Sequence, residues 1–261
     1  MIPADTPEKL RECYRLRYAV LCEELQIPGF ESECYPDRLE TDQYDKRSIH
    51  CLMIHKPTRK IAGTVRIILA EQENLNTKFP IESAADTCFF HNIIPYESIS
   101  RSRLAEISRL ILAPEFRARK GENQQPYGVR IDSESFTDQN ERRQSKVSWQ
   151  NLDNRRNNTR RSFPHAALGL IIAILRMSVE HNVIYAYCGM EPACARFLQS
   201  FGINFTPISP MVNYHGLRRC YIGYGPDIME NIFKKHPPVW ELIEPYGKTF
   251  LTKNNDQSIQ F

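Results

Sequence analysis

Residues 105–112 read AEISRLIL, and residues 183–188 read VIYAYC. Both runs are rich in the branched and aromatic residues that favour β-strands, and Pro114 stops the first run. The first run also carries Glu106 and Arg109 in a segment that otherwise has the pattern of a buried strand. These runs therefore predict two core strands, one of which holds ionisable groups that a core tolerates only when they are paired.

Helices and further strands are predicted on both sides of these two runs. Thr6 before Pro7 is typical of a helix N-cap, and apolar residues then recur at helical spacing until the chain reaches Pro28. The remaining predicted elements are a β-hairpin at 48–55 and 61–69, a connection with helical pieces at 70–104, a buried helix at about 162–181, a short helix at 192–201, a β-rich stretch at 205–224 and a helix at 226–235. Strands alternating with helices after an antiparallel opening predict one mixed α/β sheet.

Residues 115–162 differ from the rest of the chain. They contain 11 Arg or Lys against 7 acidic residues, with few aliphatic side chains and many Asn, Gln and Ser. This composition predicts a basic insertion outside the core. We therefore expect residues 1–240 to form a single domain with the insertion at 115–162, followed by a polar tail at 241–261.

The overall composition excludes several classes of protein. The net charge of +3 is small, and the Arg and Lys residues are spread along the chain, so the charge does not indicate nucleic-acid binding. No run approaches the ~20 apolar residues of a membrane span, and the first residues lack the pattern of a signal peptide, so we expect a cytoplasmic protein with no transmembrane segment. The eight cysteines form no CxxC pair and have no His at zinc-ligand spacing, so no metal site is predicted.

Four segments place charges inside or beside apolar runs. These charges are Arg17 in YRLRYAV, Asp42 and Asp45 in TDQYD, Arg66 in GTVRIIL, and Glu106 with Arg109 in AEISRL. Buried arginines and acids from separate elements neutralise one another only if the fold brings them together. Such a meeting occurs at active sites and also in structural ion-pair networks, and the charges alone leave both interpretations open.

The order of these segments resembles a known family. The series YRLRYAV, TDQYD, GTVRIIL, Phe79-Pro80 and AEISRL is similar to that of the acyl-homoserine-lactone synthases and the related N-acyl amino acid synthases. The late stretch VNYHGLRRCYIGYG most resembles the acyltransferases associated with PEP-CTERM/exosortase systems. The resemblance covers residues 6–113 and, more loosely, 163–225.

The resemblance implies roles for seven residues. It assigns Arg17, Asp42, Asp45 and Arg66 to substrate binding, and Glu106, Ser108 and Arg109 to catalysis. Glu106 is the candidate base that removes a proton from the attacking amine, and a plain salt bridge to Arg66 or Arg109 is the alternative. Tyr18 stands where the lactone synthases carry His, and this difference favours plain N-acylation over lactone formation.

The resemblance also implies a fold, the GNAT fold. In that fold the fourth and fifth strands part, here AEISRLIL and VIYAYC, and the pantetheine arm of an acyl donor lies in the gap. Glu106 and Arg109 are three residues apart and would point to opposite faces of a regular strand. We therefore predict a β-bulge near Ser108, with Arg109 pairing with Asp42 or Asp45 as the alternative.

The insertion stands where GNAT proteins usually carry a Gly-rich pyrophosphate loop. A donor without the adenosine diphosphate half of coenzyme A does not need that loop, so the resemblance favours acyl carrier protein, with acyl-CoA as the alternative donor. Acyl carrier protein is acidic, and the basic residues Arg117, Arg119, Lys120, Arg142 and Arg143 could dock it. A solvated loop without a partner and a degenerate pyrophosphate loop remain alternatives.

The leading hypothesis is transfer of a long acyl chain to the amino group of an amino acid or similar small amine, with no permanently bound cofactor. A CoA-dependent acetyltransferase is the alternative within the same class. A catalytically silent GNAT module that binds acyl carrier protein is the alternative from another class. An RNA-binding protein is a further alternative, supported by the insertion alone and by no stacking aromatic motif.

Overall fold

The computed structural model describes residues 1–85, 89–90, 93, 99–117 and 163–254. The described strands form one sheet of order β1-β2-β3-β4-β5-β7-β6, in which β4 and β5 are parallel and all other neighbours are antiparallel. The strands are β1 (Ile2–Pro3), β2 (Ser48–Ile54), β3 (Ile61–Leu69), β4 (Leu104–Leu112), β5 (Tyr185–Met190), β6 (Thr206–Asn213) and β7 (Leu217–Tyr224). The predicted mixed sheet is confirmed.

Helices flank both faces of this sheet. The α-helices are α1 (Pro7–Tyr18), α2 (Pro80–Ala85), α3 (Phe163–Glu180), α4 (Pro192–Gln199), α5 (Gly225–Lys235) and α6 (Pro237–Asn254). A π-helical turn, Ala19–Glu24, continues α1, and short 3₁₀ turns lie at Ser32–Cys34, Gln43–Arg47, Arg101–Arg103 and Pro114–Phe116. None of the helices in the described part of the chain combines the length and the apolar character that crossing a membrane requires.

The predicted start of α1 and the predicted hairpin are confirmed. The Thr6 hydroxyl accepts a hydrogen bond from the Lys9 N–H (3.4 Å), and Pro7 occupies the first helical turn, where its missing N–H costs nothing. β2 and β3 pair antiparallel from Ser48 opposite Ile68 to Ile54 opposite Ile61. This hairpin gives the sheet two faces, which α1 and α3 cover.

Side chains that alternate along β2 and β3 explain how α1 and α3 pack on opposite faces of the sheet. Leu52 shares a buried cluster with Cys13 of α1. Val65 and Ile67 share another with Leu170 of α3. Because successive side chains of a strand point to opposite faces, the same strands bury residues against both helices.

The sheet opens between β4 and β5, as predicted. Residues 104–107 of β4 pair with residues 185–188 of β5, and no pair follows Ile107 opposite Cys188. β4 nevertheless stays paired with β3 as far as Leu112, and β5 stays paired with β7 as far as Met190. The two strands therefore part after a short seam, which we define as these four residue pairs, and the backbone edges beyond it face a gap.

The predicted bulge is also present. Thr64 lies opposite Ile111 and Arg66 lies opposite Ser108, so β4 has one more residue than β3 between these pairs. Arg109 lies within the bulge and adopts a left-handed backbone conformation with φ of 52°. The bulge changes the alternation of β4, so that Arg109 reaches the same group of charges as Arg66.

The expectation of a polar tail at 241–261 is wrong for residues 241–254. These residues belong to α6, and Val239, Trp240, Ile243 and Phe250 of this helix are buried in the main core. Val239, Ile243 and Phe250 follow one another at four and seven residues, which places them on one face, although Pro245 stands inside the helix. Of the predicted insertion at 115–162, only residues 115–117 lie among the described residues.

Candidate active site

Six charged side chains meet beside the parted strands, and we call them the charge cluster. Three are arginines from α1, β3 and β4, and three are acids from the segment that precedes β2. The members are Arg17, Arg66, Arg109, Glu40, Asp42 and Asp45. Three positive and three negative charges make the cluster neutral, which is the condition for burying it.

Arg17 lies at the back of the charge cluster, with no exposed side-chain surface. Its Nη1 and Nη2 donate to the two carboxylate oxygens of Asp45, at 2.8 and 3.2 Å, and its Nε donates to Glu40. A fork of donors against two carboxylates satisfies a guanidinium group that would otherwise be costly to bury.

Arg66 joins the hairpin to β4 through the same acids. Its Nη1 donates to Asp42 Oδ1 and to Asp45 Oδ1, both at 2.7 Å. Its Nε donates to the hydroxyl of Ser108 at 2.9 Å, across the strand pair in which these two residues are partners. Ser108 therefore helps to orient Arg66.

Arg109 forms the front of the charge cluster. Its Nη2 donates to Glu40 Oε1 at 2.9 Å and to Asp42 Oδ2 at 3.1 Å. The guanidinium group lies 4.7 Å from the centre of the Phe30 ring, a cation–π contact. Within the part of the chain that the structure describes, its Nη1 makes no hydrogen bond, so this nitrogen is free to donate to another molecule.

The arginines control the ionisation of the acids. Burial by itself raises the pKa of Glu40, but the charges of Arg17 and Arg109 outweigh burial and lower this pKa to about 2. Burial acts in the same direction on Asp45, and again the arginines, with Arg17 foremost, hold its pKa below the usual range. Both acids are therefore ionised at neutral pH, when the cluster is complete.

Glu106 lies near the charge cluster but pairs with none of its arginines. Its Oε2 accepts the Ile81 N–H at 2.9 Å, and its Oε1 accepts the Tyr214 hydroxyl at 3.2 Å. Burial raises the pKa of Glu106 to about 7, although the Ile81 N–H, Arg66, Tyr214 and Arg109 each favour the ionised form. Glu106 thus has the pKa that suits proton transfer near neutral pH.

A cavity of about 500 Å³ begins at this point. Its polar end is lined by Glu106, Ser108, Arg109, Tyr214 and His215. It passes between β4 and β5 where they part and continues along an apolar wall formed by α3, α5 and α6. That wall includes Leu168, Ile171, Leu175, Ile228, Ile232, Val239 and Ile243. The arrangement can hold a molecule with a reactive polar group and a long apolar chain.

The seven residues to which the sequence assigns roles fall into two groups, those that line the cavity and those that do not. Glu106, Ser108 and Arg109 line the cavity, whereas Arg17, Asp42, Asp45 and Arg66 do not and lie around Arg109 instead. All seven occupy one region, and the four residues outside the lining connect to it through the hydrogen bonds of Asp42 to Arg109 and of Arg66 to Ser108.

The predicted docking residues are described only in part. Arg117 donates from Nε to the Leu112 carbonyl at 2.8 Å and pairs with Glu24 at 2.8 and 3.0 Å. It therefore has contacts within the chain already. Arg119, Lys120, Arg142 and Arg143 lie outside the described residues.

Sequence reasoning missed Glu40 and Tyr214. Glu40 is one of many acids in residues 30–47, and no spacing distinguishes it from those that remain exposed. Tyr214 lies at the tip of the β6–β7 hairpin, far in sequence from Glu106. A signal was present in Gly216, since Gly between two β-rich runs indicates a hairpin turn and so places Tyr214 near its tip.

Comparison with known proteins identifies the class. Residues 16–124 match the family model of the acetyltransferase (GNAT) domain. The match, together with a mixed sheet that opens between β4 and β5, shows a GNAT domain and supports an acyltransferase. A search of curated protein sequences finds no match.

Solved structures narrow the fold further. The chain is similar to a CoA-dependent acyl-homoserine lactone synthase, BjaI, solved with MTA, at 13% identity and a TM-score of 0.54, covering 92% of this chain and 83% of that one. It is also similar to FeeM, an N-acyl amino acid synthase from uncultured soil microbes, at 12% identity and a TM-score of 0.53, covering 88% and 92%. The inhibitor and MTA complex of TofI gives 12% identity, a TM-score of 0.52 and the same coverages. At these identities the similarity shows a shared fold.

Proposed function

We propose that this protein transfers a long fatty acyl chain from acyl carrier protein to the amino group of an amino acid or similar small amine. One observation carries the proposal. A single cavity starts at Glu106, whose pKa is raised to about 7, and runs through the parted strands into an apolar space. An acetyl group does not need that apolar space, whereas a fatty acyl chain does.

The proposed reaction needs two proton transfers and one leaving group. The neutral amine attacks the thioester carbonyl at the gap between the strands, and the C–N bond forms. Glu106, as the carboxylate, accepts the proton that the amine loses. The C–S bond then breaks, and Glu106 passes this proton to the thiolate, which leaves an amide, a free thiol and the Glu106 carboxylate. Backbone N–H groups at the open strand edges would stabilise the oxyanion.

Arg109 supplies the proposed contact with an amino acid acceptor. Arg109 lines the cavity, and its free Nη1 would donate to the carboxylate of the acceptor. The other five members of the charge cluster would hold the guanidinium group in place, because Glu40 and Asp42 fix its remaining donors.

The experiment is a mass-spectrometric search for new N-acyl species in lipid extracts of cells that express the chain. We expect new species with the wild type and none with Glu106→Gln. The control is Glu180→Gln, which removes an exposed acid of α3 and should leave the products unchanged. Glu106→Gln should remain folded, because it removes a carboxylate whose ionisation burial disfavours, and thermal unfolding at pH 8 checks this.

Absence of new species across a range of amines would contradict the proposal. Stabilisation of the purified protein by an acyl donor without product would instead indicate a silent binding module. Turnover of acyl carrier protein and CoA thioesters of equal chain length separates the two donors, and faster turnover of the CoA thioester would reject the carrier-protein half of the proposal. Cytoplasmic location and association with PEP-CTERM/exosortase systems remain predictions.

A further inference from the structure

The tip of the β6–β7 hairpin crosses the opening of the sheet. Tyr214 donates its N–H to the Gly216 carbonyl at 2.9 Å, and both His215 and Gly216 adopt left-handed conformations, with φ of 51° and 96°. Backbone conformations of this kind form a tight turn, and Gly216 adopts a positive φ without strain. The turn fixes the direction of the Tyr214 side chain, which lies in the cavity wall.

The ring of Tyr214 fits against a glycine of β5. A Cβ added at Gly189 would lie 3.0 and 3.1 Å from two ring carbons of Tyr214, closer than such contacts normally are. Gly189 immediately follows Cys188, the last residue of the seam. The absence of a side chain at 189 therefore lets the phenol reach the carboxylate of Glu106 at 3.2 Å.

The next residue ties the hairpin tip to the N-terminal half of the molecule. The His215 ring lies 4.5 Å from the Phe30 ring, and its Nδ1 is 3.3 Å from the Pro28 carbonyl oxygen. Phe30 in turn lies under Arg109. The hairpin tip thus bridges both sides of the opening, with Tyr214 on its inner side.

We propose that Tyr214 is a positioning residue for Glu106: its hydroxyl fixes the carboxylate in the orientation that receives the proton of the acceptor amine. This inference rests on the proposed function. The hydroxyl donates to one carboxylate oxygen and the Ile81 N–H donates to the other, so the two donors define the plane of the group. Without the hydroxyl, one oxygen loses its partner and the group is free to turn.

Tyr214 should also affect the ionisation of Glu106. The groups that face Glu106 are the Ile81 N–H of α2, Arg66 of β3, Arg109 of β4, Cys188 of β5 and Tyr214 of the hairpin. The arginines and the two hydrogen bonds favour the carboxylate, and only burial opposes them strongly. Removal of the tyrosine hydroxyl therefore raises the pKa of Glu106 further.

Tyr214→Phe tests the proposal, because it keeps the ring and removes the hydroxyl. We expect kcat for amine acylation to fall about 10-fold, with the KM for the amine within about 2-fold, since a hydrogen bond to a charged group is lost. The acid limb of the pH–rate profile should move to higher pH by about one unit. Gly189→Ala, which displaces the ring but keeps the hydroxyl, should give smaller changes in the same direction.

Tyr185→Phe is the matched control. Tyr185 is a buried tyrosine of β5 that stacks on Tyr224 at 5.0 Å and does not line the cavity, so its profile should match that of the wild type. An unchanged kcat and an unchanged acid limb in Tyr214→Phe would overturn the proposal.

A titration of the Glu106 carboxyl by ¹³C NMR keeps this test separate from the proposed function. If the wild type forms no product, the proposed function fails, but the midpoint of this titration must still rise in Tyr214→Phe. A midpoint equal to that of the wild type rejects the role of Tyr214 whether or not the protein is active.

Discussion

Glu106 and the charge cluster lie close together and have opposite electrostatic environments. The acids of the cluster face arginines directly, so Glu40 has its pKa lowered to about 2. Glu106 accepts hydrogen bonds from one backbone N–H and one phenol and pairs with none of the cluster's arginines, and burial prevails, so its pKa is raised to about 7. Carboxyl groups with such different pKa values can serve different roles. Glu40 stabilises the charge cluster, and Glu106 is suited to proton transfer.

The first prediction concerns the pH dependence of acylation. Glu106 accepts a proton only when it is ionised, so kcat/KM should rise with pH through about 7 and then level off. Initial rates between pH 5 and 9 measure this. A profile without a limb near pH 7, or one that Glu106→Gln leaves unaltered, would exclude Glu106 as the base.

The second prediction concerns Glu40, which no sequence pattern singles out. Glu40→Gln leaves Arg17 and Arg109 buried with one carboxylate fewer, and we expect the free energy of unfolding to fall by about 3–5 kcal/mol. Urea unfolding measures the change. The matched control is Glu12→Gln, an exposed acid paired with Arg15, which should cost less than about 1 kcal/mol. Equal costs for the two variants would show that the cluster is not held by charge.

At the scale of elements, the sequence predicts the strands and α1 well. β3 has the predicted bounds, and β4 differs by one residue, because apolar runs between turn signals mark buried strands directly. α6 was missed because its few apolar residues lie among polar ones and Pro245 suggests a break. Its burial depends on α3 and α5 offering an apolar surface, and that is a tertiary property.

The candidate site can also be predicted in part from the sequence. The bulge follows from the three-residue spacing of Glu106 and Arg109, since both must reach one site. The partners of these side chains do not follow from spacing. Arg109 turns out to contact Glu40 as well as Asp42, and Glu106 contacts Tyr214, because the chain folds segments from distant positions against β4.

The third prediction tests the wall that α6 gives to the cavity. Val239→Phe adds a volume on the order of two methylene groups to this wall, so the preferred acyl chain should shorten by about two carbons. Competition among acyl donors of different length, read by mass spectrometry, measures the shift. Trp240→Phe, one residue along α6 and outside the cavity wall, should keep the wild-type preference. An unshifted preference in Val239→Phe would place the acyl chain elsewhere.

For the whole molecule, the lowered pKa values set the response to acid. Glu40 and Asp45 have lower pKa values in the folded state than in the unfolded state, where Glu ionises near 4.5. The stability that they contribute is therefore complete above about pH 4.5 and is lost as the pH falls toward about 2. This loss affects α1, β3 and β4 together, because the charge cluster connects them.

The fourth prediction follows from this linkage. The Tm should fall as the pH decreases from about 4.5 to about 2, and Glu40→Gln should show a shallower fall because one of the responsible groups is absent. Circular dichroism melts across this range measure both slopes. Parallel slopes for the two proteins would mean that Glu40 has an ordinary pKa in the folded state.

The short seam between β4 and β5 has a mechanical consequence. Among the described residues, β4 and β5 pair at four positions, and the tip of the β6–β7 hairpin contacts Phe30 across the opening. In the proposed function, a fatty chain in the cavity would contact both halves of the sheet and would hold them together until the product leaves. Binding of the acyl donor would then raise the free energy of unfolding, and release of the product would lower it again. The protein would therefore be least stable between turnovers.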